Sequence, residues 1–153
     1  MKILYAEESD IQDIEALAQK TFYKMGLDEL GGTYDKETFI INTKYQIENN
    51  NYIVLKCIED NKLVGALFAY HTPQLYNQNK TIIQEFGMQS DPELSTIKQS
   101  KIIIALIKYL EDLSKEIGAD TIGFNLMEKY DLSKYLVKKG YKKSDIIYVR
   151  SVN

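Results

Sequence analysis

The fold of this chain is decided by residues 81–125, TIIQEFGMQSDPELSTIKQSKIIIALIKYLEDLSKEIGADTIGFN. Residues 81–88 predict a strand, and residues 121–126 predict a second one. Between them, apolar residues recur at helical spacing and predict a long amphipathic helix: Ile103, Leu106, Ile107, Leu110, Leu113 and Ile117. A strand, a helix and a strand of these lengths predict a right-handed βαβ crossover with two parallel strands.

Both ends of the central helix carry sequence signals. Ser90 and Glu93 have the spacing of a capping box, although the helix could also begin later, near Ser95 or Thr96. Gly118 is well placed to end the helix. The first strand meets the N-terminus of this helix, where free backbone N–H groups and partial positive charge collect. We therefore expect any anionic ligand to bind there.

Composition predicts one globular domain over residues 1–153, with 44% hydrophobic and 27% charged residues. The chain has no run of 18 apolar residues, and Glu7 and Glu8 make its N-terminus acidic too early for a signal peptide. We therefore expect a cytoplasmic protein without a membrane partner. A net charge of −3 also argues against nucleic acid as a partner, because phosphate contacts need a basic stripe.

Cysteine and arginine are each present once. Cys57 excludes an intramolecular disulfide and gives no metal-ligand spacing, so we predict no metal site and interpret the thiol as a buried structural group. Arg150 is the single arginine among 19 cationic residues. Because a lysine offers a point charge rather than a rigid fork, we do not expect bidentate recognition of an anion.

The remaining segments surround the central unit. We predict strands at 2–6, 52–58, 62–71 and 144–149, helices at 10–25, 35–47 and 129–139, and a tight antiparallel return at 72–80. Ser9 is predicted to cap the first helix, Gly26–Thr33 to form a mobile loop, and Gly65 to mark a bulge or a close packing contact. The order β-α-α-β-β-β-α-β-α-β predicts an α/β (α+β) protein whose mixed, mostly antiparallel sheet carries helices on both faces.

Two local patterns accompany this order. One is the hairpin CIEDNKLVG at residues 57–65, and the other is YLVKKGY at residues 135–141. With the element order, they resemble the GNAT superfamily of acetyl-CoA-dependent N-acyltransferases over nearly the whole chain. The second pattern is similar to the family's Leu-Tyr-x-Lys-x-Gly-Phe ending. The resemblance implies a GNAT-like domain that transfers an acyl group, most simply acetyl from acetyl-CoA, to the amine of a small molecule or a peptide.

The family's pyrophosphate loop, Gln/Arg-x-x-Gly-x-Gly/Ala, lies at the start of the central helix. The resemblance implies that acetyl-CoA is held there by the aligned residues Lys98, Gln99, Ser100, Lys101, Ile102 and Ile103. The motif is degenerate, because Lys98 replaces the Arg or Gln and Lys101 and Ile103 replace the glycines. Side chains at the glycine positions should crowd the phosphates, whereas the lysines supply compensating charge. The alternative interpretation is a solvated helix turn.

Acyl transfer from a thioester to an amine needs a base for the ammonium and an acid for the leaving thiolate. The family's base is often a carboxylate on the strand before the loop, and Glu85 stands in that strand. Its apolar neighbours should raise its pKa, which suits a base near neutral pH. The alternative role for Glu85 is a structural ion pair with a lysine at the edge of the cleft.

The family's acid is commonly a tyrosine just before Lys-x-Gly-Phe. Leu136 holds that position here and Tyr135 precedes it, so Tyr135 as the acid is turned by about 100° on the helix. The resemblance also places Gly87 and Met88 where the strand pairs its backbone with the pantetheine arm of the cofactor.

Two classes of function follow from these residues. The first is an acyl-CoA-dependent N-acyltransferase, with Glu85 as base and Tyr135 as acid. The second is a catalytically inactive GNAT-fold protein that serves as a binding or structural module. A phage or another mobile element with an AT-rich genome would account for the abundance of Lys, Ile, Asn and Tyr in either case. Binding of acetyl-CoA separates the two classes.

Overall fold

The computed structural model describes residues 1–29, 31–125 and 132–143. Its strands are β1 (Lys2–Tyr5), β2 (Tyr52–Glu59), β3 (Lys62–Gln74), β4 (Asn77–Ser90) and β5 (Thr121–Gly123). Its helices are α1 (Ile11–Lys24), α2 (Lys36–Glu48), α3 (Thr96–Ile117) and α4 (Ser133–Lys138), with a short 3-10 helix at Glu8–Asp10. The predicted strand at 144–149 and the predicted helical residues 129–131 lie outside the described residues.

The five strands form one sheet in the order β1-β2-β3-β4-β5. Neighbouring strands are antiparallel from β1 to β4, whereas β4 and β5 are parallel. Because α3 connects β4 to β5, the predicted crossover between two parallel strands is confirmed. The predicted mixed, mostly antiparallel sheet is confirmed as well.

The core lies on both faces of this sheet. On the α3 side, the buried cluster consists of Ile53, Leu55, Cys57, Val64, Leu67, Ala69, Ile83, Ile102, Leu106 and Leu110. On the side of α1 and α2, the buried residues are Ala6, Ile14, Leu17, Val54, Ala66 and Phe68, with Phe39 and Ile47 of α2 packed against them. Residues of β2 and β3 alternate between the two clusters, as side chains of a strand must. The predicted helices on both faces are confirmed.

The central helix begins at the later of the two predicted positions. Ser95 is its N-cap, and its hydroxyl accepts a hydrogen bond from the Lys98 N–H at 3.4 Å. The predicted capping box is wrong, because Ser90 is the last residue of β4 and pairs with Gly65 in the sheet. Gly118 ends the helix in a left-handed conformation with φ of 78°, as predicted.

The prediction that Ser9 caps the first helix is also wrong. Ser9 lies inside the 3-10 helix, which begins one residue before it. Glu7 and Asp10 hold this turn instead, and the Glu7 N–H donates to Asp10 Oδ2 at 2.7 Å. The second helix has a side-chain cap, because Asp35 Oδ1 accepts from the Thr38 N–H at 3.0 Å.

The hairpins are longer than their sequence signals indicate. β2 and β3 are joined by Asp60 and Asn61, whose φ angles of 50° and 59° fit a two-residue turn of positive φ. β3 continues to Gln74 and β4 starts at Asn77, so most of the predicted return at 72–80 is strand. The exposed pair Leu75 and Tyr76 forms the turn between them.

Both interpretations of Gly65 are confirmed. Cys57 pairs with Gly65 and Ile58 with Leu63, which leaves Val64 as the extra residue of a bulge. A Cβ atom at Gly65 would lie 2.6 Å from Ile102 Cγ2 and 3.1 Å from the Gln89 carbonyl oxygen. Gly65 therefore allows α3 to pack closely on β3.

Replacing Gly65 by alanine should lower the free energy of unfolding by roughly 1–3 kcal/mol, because the new methyl group overlaps Ile102 Cγ2. Chemical denaturation measures this change. In the double variant with Ile102→Ala the overlapping atom is gone, so the combined cost should be smaller than the sum of the single costs. Simple additivity would contradict the contact.

Candidate active site

The short parallel ladder between β4 and β5 ends next to Glu85. The last pair of that ladder is Gln84 with Gly123. Past it, the Asn125 N–H donates to Glu85 Oε2 at 2.8 Å, and Asn125 Nδ2 donates to the Glu85 carbonyl oxygen at 3.0 Å. A side-chain carboxylate thus accepts an N–H that an unbroken ladder would direct to the backbone. The regular ladder between the two strands therefore ends at Glu85, where the contacts involve side chains.

Glu85 is a buried acid, with 1% of its surface exposed. Burial raises the pKa of its carboxyl group from 4.5 to about 7, against the opposing effect of hydrogen bonds from the N–H groups of Asn125 and Gly87. In the described part of the chain the carboxylate accepts these backbone N–H groups and takes part in no ion pair, so the alternative of a lysine ion pair has no support there. A carboxyl group with this pKa can take up or release a proton near neutral pH.

A bulge in β4 lies directly beside this acid. Phe68 pairs with Gly87 and Ala69 with Glu85, so Phe86 has no partner on β3. Glu85 shares the α3 side of the sheet with Ala69, whereas the Phe86 ring contacts Phe68 on the side of α1 and α2. The bulge therefore places an acid and an aromatic ring back to back on opposite faces. Sequence reasoning found the acid and missed the bulge.

Tyr135 lies on α4 with its hydroxyl group buried, and that hydroxyl has no hydrogen-bond partner among the described residues. Its ring and Met88 pack against one buried cluster, formed by Ile103, Ile107 and Leu136. Leu136 anchors the short helix in this cluster and is only 8% exposed. An unsatisfied buried hydroxyl costs free energy, which a ligand atom with a matching polar group would recover. Of the two neighbouring residues, Tyr135 is the one able to donate a proton.

The residues of β4 beyond the bulge link Glu85 to the start of α3. Met88 pairs with Leu67 and Ser90 with Gly65, which puts both on the same side of the sheet as Glu85. Ser90 is fully buried, and its hydroxyl has no hydrogen-bond partner in the described residues. Sequence reasoning assigned Ser90 to a helix cap and so missed it as a site residue.

The free N–H groups of α3 belong to the residues directly before the aligned pyrophosphate motif. The Lys98 N–H is bonded to the Ser95 hydroxyl, and the Gln99 N–H is bonded to the Ser95 carbonyl oxygen at 2.9 Å. Thr96 and Ile97 are therefore the first-turn residues whose N–H groups can donate hydrogen bonds to an anion. The motif of residues 98–103 lies within the helix.

The side chains of this motif divide into two sets. Ile102 and Ile103 are buried, and Ile103 packs with Ile107 and Leu136, whereas the crowding of a ligand by Lys101 and Ile103 stays a prediction. Lys101 is exposed, whereas Lys98 Nζ pairs with Glu59 Oε2 at 2.5 Å. Any anion at this helix end must therefore share Lys98 with the Glu59 carboxylate.

A cavity of about 390 Å³ lies at the other end of α3, where it is lined by residues such as Glu111, Lys115 and Tyr141. The Tyr141 hydroxyl donates to Glu111 Oε1 at 2.9 Å there, so the Glu111 carboxylate in this cavity already has a hydrogen-bond partner.

In the described residues we find no cluster of His, Cys, Asp and Glu suited to a metal ion. No helix in the same ranges is long and apolar enough to cross a membrane.

Comparisons with known proteins give the fold its name. An aminoglycoside acetyltransferase from an uncultured soil sample, solved with sisomicin, has a TM-score of 0.70 and 17% identity, covering 99% of this chain and 96% of its own. A GNAT family acetyltransferase from Staphylococcus aureus gives 0.67 and 16%, covering 99% and 100%. A ribosomal-protein-alanine N-acetyltransferase from Brucella melitensis gives 0.69 and 15%, covering 99% of both chains. No protein-family model and no curated protein matches the sequence. The GNAT fold predicted from the sequence is confirmed.

Proposed function

We propose that this GNAT-fold chain is an acetyl-CoA-dependent N-acetyltransferase acting on the amine of a small molecule or a peptide. The observation that carries the proposal is Glu85, a buried carboxyl group with a pKa of about 7 at the end of the β4–β5 ladder. Structural carboxylates that serve only as ion pairs usually have lowered pKa values. An acid whose pKa lies near neutrality, at the end of a strand ladder, suits a general base.

The residues of β4 and α3 fit acetyl-CoA. The free N–H groups of Thr96 and Ile97 and the dipole of α3 favour the pyrophosphate, and Lys98 and Lys101 add positive charge. The pantetheine arm would lie along Gly87, Met88 and Ser90, where the Ser90 hydroxyl, without a partner among the described residues, offers a hydrogen bond. When bound, the cofactor supplies an activated acetyl group as a thioester.

In the proposed reaction, Glu85 accepts a proton from the acceptor ammonium, directly or through one water molecule. The free amine then attacks the thioester carbonyl carbon, so a C–N bond forms and the C–S bond breaks. Tyr135 donates its hydroxyl proton to the departing thiolate, a role supported by its buried hydroxyl without a partner in the described residues. The attacking nitrogen loses a second proton as the amide forms, and this proton restores the Tyr135 hydroxyl through water while Glu85 releases its own to solvent. The products are an amide and free CoA.

The inactive-scaffold alternative rests on two contacts in which the charged groups of the proposed site already have partners. Glu85 accepts the N–H groups of Asn125 and Gly87, and Lys98 pairs with Glu59. In a scaffold protein these contacts would simply stabilise the strand ends and the β2–β3 hairpin. A measurement of acetyl transfer distinguishes the enzyme from the scaffold protein.

Release of free thiol from acetyl-CoA tests the proposal. With a panel of primary amines, at least one should raise thiol release well above the rate without amine, and mass spectrometry of that amine should show a gain of one acetyl group. Thiol release no faster than hydrolysis across the whole panel would contradict acetyl transfer and favour the scaffold.

A further inference from the structure

A continuous set of aromatic rings covers the sheet on the face opposite Glu85. We call Tyr45, Tyr52, Phe68, Tyr70 and Phe86 the aromatic wall. Phe86 stacks on Tyr70 with ring centroids 5.8 Å apart and contacts Tyr52 at 6.3 Å and Phe68 at 6.1 Å. Tyr45 of α2 extends the wall through an edge contact with Tyr52 at 5.8 Å.

Some rings of the aromatic wall are exposed to solvent, and others are buried in the core. Phe86 is 40% exposed and Tyr45 of α2 is 57% exposed, so part of each ring faces solvent. Phe68 is 6% exposed and contacts Phe39 of α2 at 6.2 Å, which holds the base of the wall in the core. The exposed rings are therefore fixed by packing beneath them and present a preformed apolar surface.

The wall begins at the proposed reaction centre. Phe86 is the bulge residue of β4 and directly follows Glu85 in the chain. A molecule resting on Phe86 would therefore lie beside the end of the β4–β5 ladder, one residue from the proposed base, whose carboxyl group lies on the other face. The position of the wall suits the acceptor.

The chemistry of the wall decides which acceptor fits. Its polar groups are tyrosine hydroxyls, and the Tyr45 hydroxyl accepts from Asn49 Nδ2 at 2.9 Å. On the same helix as Tyr45, the Glu48 carboxylate is paired with Lys44 at 3.8 Å. Aromatic faces attract flat apolar groups and a single ammonium, whereas several ammonium groups need several carboxylates.

We propose that the aromatic wall binds the body of the acceptor, and that the acceptor is a monoamine with an aromatic or similarly flat apolar group. A polycation such as a polyamine or an aminoglycoside does not match this surface. The inference rests on the proposed acetyl transfer, and it adds the substrate class.

The first test compares phenethylamine with spermidine and kanamycin in the thiol-release assay. Phenethylamine should have a kcat/KM at least tenfold above that of either polycation. Phe86→Ala should raise the KM for phenethylamine about tenfold, since a stacking and cation–π contact is lost. Leu75→Ala, an equally apolar change at the exposed β3–β4 turn, is the matched control and should leave the KM unchanged. Phe86→Leu keeps the apolar bulk without the ring and guards against misfolding of the alanine variant.

The second test separates this inference from the proposed function. Calorimetry measures direct binding of phenethylamine to the whole protein without acetyl-CoA. Saturable binding that Phe86→Ala weakens about tenfold and Leu75→Ala does not would support the wall even if no amine were acetylated. If phenethylamine fails to bind, or if spermidine is the better acceptor, the inference is overturned, while acetyl transfer to the polyamine would leave the proposed function standing.

Discussion

Replacing Glu85 by glutamine is expected to lower the turnover number of acetyl transfer by roughly 10²–10⁴-fold. Glutamine keeps the shape of the side chain, and its carbonyl oxygen can still accept the Asn125 N–H. It cannot accept a proton from an ammonium. The KM values for acetyl-CoA and acceptor should change little. Steady-state kinetics measures all three constants.

The pH dependence of the wild-type enzyme should report the same group. A general base acts in its deprotonated form, so kcat/KM should rise with pH and level off above the Glu85 pKa of about 7. The glutamine variant should lack this limb. Tyr135→Phe is a useful comparison, because loss of the acid should reduce the rate less and leave the Glu85 limb of the profile in place. Full activity of Glu85→Gln at every pH would remove Glu85 as the base.

Glu85 should also leave a signature in stability that needs no substrate. Its pKa is about 7 in the folded protein against 4.5 ordinarily, so between these values the folded state binds more protons than the unfolded state. The wild type should lose about 3 kcal/mol of unfolding free energy relative to Glu85→Gln as the pH rises from below 4.5 to above 7. Denaturation of both proteins at pH 4.5, 6 and 8 measures the difference. Parallel curves would show that the buried carboxyl group is not perturbed.

Replacing Leu106 by aspartate should cost about 4 kcal/mol of unfolding free energy or more. Leu106 is fully buried between α3 and the sheet, and the change adds an unpaired buried charge to the loss of a packed side chain. Such a loss is a large part of the stability of a domain, so we expect circular dichroism to show a largely unfolded variant. Leu106→Ala, expected to lose about 2–5 kcal/mol, provides a measurable intermediate.

The matched control lies two residues away on the same helix. Lys108 is exposed, so Lys108→Ala should change the unfolding free energy by less than about 0.5 kcal/mol. Similar effects at 106 and 108 would contradict the orientation of α3.

The sequence predicts what depends on local pattern. Helical spacing around Leu106 and a glycine at 118 are sufficient to define α3, and the same pattern between two strands defines the crossover. Turn residues such as Asp60 and Asn61 have conformational preferences of their own, so the hairpin they form is also predictable.

The details of the site depend on contacts between distant segments. The bulge at Phe86 is set by the register against β3, and the partner of Glu85 is a backbone group 40 residues further along the chain. The start of α3 was ambiguous because Ser90 and Ser95 are both good caps, and sheet pairing with Gly65 removes the first. No local pattern contains this information, since each contact is fixed only when the sheet assembles.

Thermal unfolding with and without acetyl-CoA tests the central claim most directly. At about 100 times its Kd, acetyl-CoA should stabilise the folded protein by about 2.7 kcal/mol and raise the melting temperature by several degrees. Lys98→Glu combined with Lys101→Glu should abolish the shift without unfolding the protein, because both lysines lie at the surface end of α3. Glu59→Gln, which frees Lys98 from its ion pair, should enlarge the shift at a fixed subsaturating concentration. If millimolar acetyl-CoA leaves the melting temperature of the wild type unchanged, the proposed acetyltransferase function is contradicted and the inactive-scaffold alternative is favoured.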